Sequence, residues 1–223
     1  MAGLATAQNP PRYVPGKQVN TARPWTYWWW MGSAVTEIEL TRQLEQFAKA
    51  GLGGVHIIPI YGVKGYENQF IPFLNKRWLA VFSHTVREAN RLGLGVDLST
   101  GTGWPFGGPN VSPDIAAKQW QLNGGKLTAA PTKQKVKRPA PGGAGPAVDY
   151  FDKTAITQYL RRFDSTLVSL LERPRAVYND SYELYGANWT RDFLGEFNKR
   201  RGYALDSQLQ AFLDTNQTEA GIR

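Results

Sequence analysis

Twice in its first hundred residues this chain runs the same course, and a third apolar stretch begins it again. A short apolar stretch is followed by a polar or glycine-marked break, then by a longer segment whose apolar residues recur at helical spacing. The first stretch, 25–31, holds Tyr27, Trp28, Trp29, Trp30 and Met31; its aromatic content and length predict a strand apolar on both faces, as in the middle of a parallel sheet. Residues 36–50 predict a helix, with Thr36 and Glu39 as a capping box, Leu40, Leu44, Phe47 and Ala48 on one stripe, and Gly51 as the stop. Strand 54–60, helix 76–92 and strand 94–99 repeat the pattern. A fourth unit follows later, with a helix over 152–171, a strand over 176–182 and a helix over 189–200. One helix in each connection requires parallel neighbours in sequence order, joined by right-handed crossovers.

Four strands alternating with four helices predict an α/β fold of (β/α)8 TIM-barrel type, with about the first four β-α units present. A full barrel takes roughly 250 residues. A chain of 223 residues with four units is then either the N-terminal half of one or a small open α/β domain. The expected organisation is a lead-in over 1–22, a half-barrel over 23–205 and a polar tail over 206–223. Residues 110–150 interrupt the rhythm and read as a loop insertion over the barrel mouth, with a strand pair turning at Asn123, Gly124 and Gly125. Within the lead-in, Ala5, Thr6, Ala7 and Gln8 read like the end of a secretory signal, without the basic and apolar regions that should precede it.

Composition narrows the function classes. The net charge of +8 is spread over helical stretches and the segment 133–138, which fits solvated faces better than a nucleic-acid surface. There is no cysteine, hence no disulfide framework or thiolate metal site, and no apolar run long enough for a membrane span. Only His56 and His84 are present, too few for a histidine-based zinc site. Eight tryptophans can fill a core and also bind flat, ring-shaped ligands. The glycines of 100–103 lack the lysine and full spacing of a phosphate loop.

Several blocks in order resemble glycoside hydrolase family 106, the α-L-rhamnosidases. They are Arg23-Pro24 through Trp28-Trp29-Trp30-Met31, the run 50–55, the loop 99–109, the basic proline-glycine segment 136–145, Asp180-Ser181-Tyr182-Glu183, and the runs Asn188-Trp189-Thr190 and Arg200-Arg201-Gly202-Tyr203. The resemblance implies an exported (β/α)8 enzyme, periplasmic or secreted, that is calcium-dependent and removes terminal α-L-rhamnose from oligosaccharides or polysaccharides with inversion. It also implies that the general base lies in a later strand, beyond Arg223.

Inverting hydrolysis uses one carboxyl group as acid and another as base. Glu183 stands in the block that matches the family's acid, flanked by Tyr182, Leu184 and Tyr185; by itself it also fits an ordinary loop carboxylate. Asn179 and Asp180 are candidates for orienting the sugar or binding calcium, or for simply closing the strand end. Trp104, in the glycine-rich loop, is a candidate for stacking on the sugar, or for packing on nearby helices. Trp30 is the tryptophan of its strand nearest the C-terminal end and is taken as a fourth substrate contact. Asp97 and His56 lie within apolar strands and are expected to be a structural ion pair member and a hydrogen-bonded core residue. Two other readings remain: a non-catalytic carbohydrate-binding remnant of such an enzyme, and an unrelated small α/β binding domain.

Overall fold

A computed structural model describes residues 22–213. The possible signal remnant around Ala5–Ala7, like most of the lead-in and residues 214–223, lies outside the described residues. Strand β1 (Trp25–Met31), helix α1 (Glu37–Lys49), β2 (Gly54–Ile60), α2 (Lys76–Leu92) and β3 (Gly95–Ser99) follow one another as the repeat predicts. A hairpin comes next, β4 (Lys118–Asn123) and β5 (Lys126–Pro131), then α3 (Lys153–Leu167), β6 (Ala176–Tyr178), α4 (Phe193–Arg201) and the short α5 (Leu209–Leu213). The main sheet is parallel throughout and runs β1-β2-β3-β6, the order expected from the sequence.

Local chemistry sets most of the boundaries. The Thr36 hydroxyl accepts from the Glu39 N–H at 3.3 Å, so half of the capping box forms; the Glu39 carboxylate turns instead to Arg42 and Gln43. Asn75 and Asp152 cap α2 and α3 through their side-chain oxygens. Gly93 ends α2 in the left-handed region. Gly124 and Gly125 both have positive φ, the combination a two-residue turn needs to follow the twist of β4 and β5.

The core lies on one face of the sheet. Trp28, Trp30, Ile57 and Leu98 point to it and meet Leu40 and Leu44 of α1, Trp78, Phe82 and Val86 of α2, and Tyr159 and Phe163 of α3. A second, smaller cluster joins the hairpin to α4, with Leu127, Trp189 and Leu205 buried against Phe193 and Phe197. The segment 110–150 is thus a hairpin plus a strap that bridges residues 104, 107 and 116.

The outer strands differ from expectation. β1 is an edge among the described residues, and its opposite face is open, with Tyr27 59% and Trp29 54% exposed. β6 is three residues long instead of seven, and Val177 and Tyr178 are exposed. A strand stays pleated only while a neighbour pairs with it, and β3 reaches β6 only from Asp97 to Ser99. No helix among the described residues is long and apolar enough to cross a membrane.

Candidate active site

Three loops meet where the strands of the parallel sheet end. The loop after β2 starts at Tyr61, whose N–H donates to the Arg138 carbonyl at 3.1 Å. In the loop after β3, the Gly103 N–H donates to the Pro59 carbonyl at 2.9 Å. Trp104 then exchanges two backbone hydrogen bonds with Lys137, at 3.2 and 2.7 Å. The loop after β6 is held by the same strap: the Gln134 amide donates to the Glu183 carbonyl, and Lys137 Nζ lies 3.1 Å from Glu183 Oε2 and 4.2 Å from the centre of the Tyr185 ring. Residues 134–138 are therefore a strut that ties the three loops into one rim.

Gly103 makes that strut possible. Its φ is +53°, and a Cβ there would sit 1.9 Å from the Lys137 carbonyl oxygen and 2.7 Å from that of Arg138. Gly103→Ala is expected to push the strut away and to cost more than about 1 kcal/mol. The check is a thermal melt; an unchanged melt would show that the strap is not held at this point.

The far end of the Glu183 loop is fixed too. The N–H groups of Asn188 and Trp189 donate to the Lys118 carbonyl at 3.1 and 3.2 Å. The Lys118 ammonium is itself buried and donates to the carbonyls of Asp114 and Ala116 at 2.7 and 2.9 Å. Burial pushes its pKa down, against the pull of Asp149. Asp149 accepts from Thr190 at 2.8 Å, and burial pushes its carboxyl up.

Below the rim, the open face of the sheet carries a polar row. Strand register sets Tyr27, His56 and Asp97 side by side, since lateral neighbours in a parallel sheet point the same way. His56 Nε2 is 3.1 Å from Ser99 Oγ, and its ring packs edge-on to Tyr178. Arg175 grips Asp97 with two hydrogen bonds, 3.0 and 2.6 Å, and lies over Trp25. The expected roles of His56 and Asp97 as hydrogen-bonded and paired residues match these contacts. Burial lowers the His56 pKa from its ordinary 6.5, and the charges of Asp97 and Asp180 oppose that shift. In that range the unfolded chain binds the proton more readily than the folded one. The stability tied to neutral His56 is then complete above about pH 6.5 and is lost as the pH falls through the lower, folded value. Melting temperature is expected to drop as the pH falls below about 6.5, and His56→Gln should flatten that part of the curve; an identical slope in the variant would assign the dependence to other groups.

Glu183 and Trp104 share the rim, joined through Lys137. Asn179 lies under it, its carbonyl 3.4 Å from the Tyr150 hydroxyl that donates to it. Asp180 is exposed, and its charge reaches His56 and Tyr178. Trp30 does not join them. It is 1% exposed and packs between Trp28 and Trp78 on the helix side of the sheet. Position along the strand suggested it as a sugar contact; the pleat decides otherwise, because Trp28 and Trp30 share the core face while Tyr27 and Trp29 share the open one. Trp29 was available from that alternation once the direction of a single side chain was known. Lys137, Arg138 and Tyr61 had no such signal, since their roles come from contacts between loops distant in sequence.

Among the described residues no group of three or more His, Cys, Asp or Glu side chains could hold a metal ion.

Comparison with known proteins adds three findings. A putative β-glucuronidase of Formosa agariphila is 29% identical over 98 residues, which cover 44% of this chain and 8% of that protein. A rhamnosidase structure from Novosphingobium sp. PP1Y aligns with 27% identity and a TM-score of 0.39, covering 48% of this chain and 11% of that one. The chain thus spans about a tenth of the length of these relatives. The model of the α-L-rhamnosidase family, glycoside hydrolase family 106, matches residues 16–130 and 126–214, nearly the whole chain, and the protein belongs to that family.

Proposed function

We propose that this chain supplies the first four β-α units of a (β/α)8 catalytic domain in an inverting α-L-rhamnosidase, with Glu183 as general acid. The observation that carries the reading is the rim. Glu183 and Trp104 come from loops after two different parallel strands, at their C-terminal ends, and Lys137 holds them together. That is where such a barrel assembles its chemistry.

In this reading the Glu183 carboxyl gives its proton to the glycosidic oxygen as the bond to the anomeric carbon breaks. A second carboxylate, roughly 6.5–9.5 Å away, takes a proton from the water that adds on the opposite face of the sugar. That base is drawn from a later strand of the barrel. To act, the Glu183 carboxylate must leave the Lys137 ammonium, take up a proton from solvent and turn to the leaving oxygen. The pair is about two-fifths exposed on each side, and contacts of that kind contribute only about 0–1 kcal/mol. It can therefore position the carboxyl without locking it. Trp104 offers its ring beside this point, and Asn179 and Asp180 stand below to receive sugar hydroxyls. The family likeness also supports calcium dependence and export.

The test is hydrolysis of an aryl α-L-rhamnoside by the protein expressed from its complete gene, with the released sugar followed by proton NMR. The β anomer should form first. Initial release of the α anomer would overturn the inverting mechanism, and no cleavage would overturn the rhamnosidase reading.

A further inference from the structure

Arg138 differs from three other cations around the sheet. Lys137 is paired with Glu183, Arg175 with Asp97 and Arg191 with Asp152. The exposed Arg138 guanidinium makes no ion pair among the described residues, yet it is held in place. Its Nη1 donates to the Tyr61 hydroxyl at 3.0 Å, and its central carbon lies 5.2 Å from the centre of the Tyr61 ring and 5.7 Å from that of Trp104. The backbone beneath is strained: φ at Arg138 is +52°, uncommon for a residue other than glycine. Its carbonyl accepts from the Tyr61 N–H, and its neighbour Lys137 is locked to Trp104. Strain of this kind persists where the surroundings over-determine it, and it gathers at ligand sites.

A guanidinium held at one nitrogen against two rings keeps most of its N–H groups free, in a planar fork that fits two oxygens of a carboxylate or sulfate. Consecutive residues reach opposite ways, Lys137 to Glu183 and Arg138 to Tyr61, with Trp104 touching both. We propose that Arg138, Tyr61 and Trp104 form a subsite for an anionic sugar joined to the rhamnose that is cleaved at Glu183. Trp104 supplies the stacking surface and Arg138 reads the negative group. The +8 net charge favours the approach of such a polyanionic glycan. The subsite rests on the rhamnosidase reading for its position but not for its ability to bind.

The experiment is calorimetric titration of the protein expressed from its complete gene, with thio-linked disaccharides that resist hydrolysis. The probes are a rhamnosyl-galacturonate, its neutral methyl ester, and a rhamnosyl-galactose sulfate. At low salt at least one of the two anionic disaccharides should bind about tenfold tighter than the neutral ester, and the tighter of the two identifies the acid group. Salt should shrink the preference. Arg138→Gln should abolish it, and Arg138→Lys, which keeps charge and stem but not the fork, should retain part of it. Equal binding of acids and ester in the unaltered protein, or a preference untouched by Arg138→Gln, would overturn the subsite. A preference for acid without rhamnoside hydrolysis would keep the subsite and remove the rhamnosidase reading; hydrolysis without the preference would do the reverse.

Discussion

Glu183→Gln, made in the protein expressed from its complete gene, is expected to lower turnover of an alkyl or natural α-L-rhamnoside by about 10²–10⁴-fold. Glutamine keeps the shape of the side chain and cannot deliver a proton. The loss should be smallest for substrates whose leaving group needs little protonation, such as dinitrophenyl rhamnoside. The limb of the pH–rate profile that reports the acid should vanish at the same time. These two readouts separate chemistry from architecture. Glu183 also meets Lys137 at 3.1 Å, so a variant could act by loosening the rim. A loosened rim would slow all leaving groups alike and keep the limb. A uniform loss would thus reassign Glu183 to positioning, and no loss would place the acid elsewhere.

Trp78→Ala is expected to destabilise the fold by about 3–5 kcal/mol, a large share of the roughly 5–15 kcal/mol that holds a domain together. Trp78 is fully buried on α2, stacked on Phe82 at 5.2 Å and edge-on to Phe73 at 4.9 Å. Its ring also meets Trp30 of β1, and its Nε1 donates to Ser33 Oγ at 3.1 Å. Truncation opens a cavity between the sheet and the helix and leaves the buried Ser33 hydroxyl without that donor. Trp78→Phe keeps the aromatic stack and should lose much less. Denaturant midpoints for the two variants decide the matter; a loss below about 1 kcal/mol for the alanine variant would mean that α2 settles into the gap.

The sequence alone determined the alternation of strands and helices, because the period of the apolar residues is local information. The helix starts at Thr36, Asn75 and Asp152, the stop at Gly93 and the Gly124-Gly125 turn follow from neighbours a few residues away. Parallel pairing in sequence order followed as well, since one helix per connection leaves little other choice. The same blocks were enough for the family likeness and for attention to Glu183 and Trp104. Only the tertiary structure decided which way β1 faces. Trp28, Trp29 and Trp30 are chemically identical, and the pleat sends two to the core and one to the open side according to the helices packed beneath. It also shortened β6 to the residues that β3 can reach. The basic run around Lys137 and Arg138 reads as solvated surface in one dimension. In three it is the strut of the rim, because Gly103 lets the strap approach and Trp104 pairs with it. Contacts between residues 61, 104, 138 and 183 have no periodicity that a linear reading could detect.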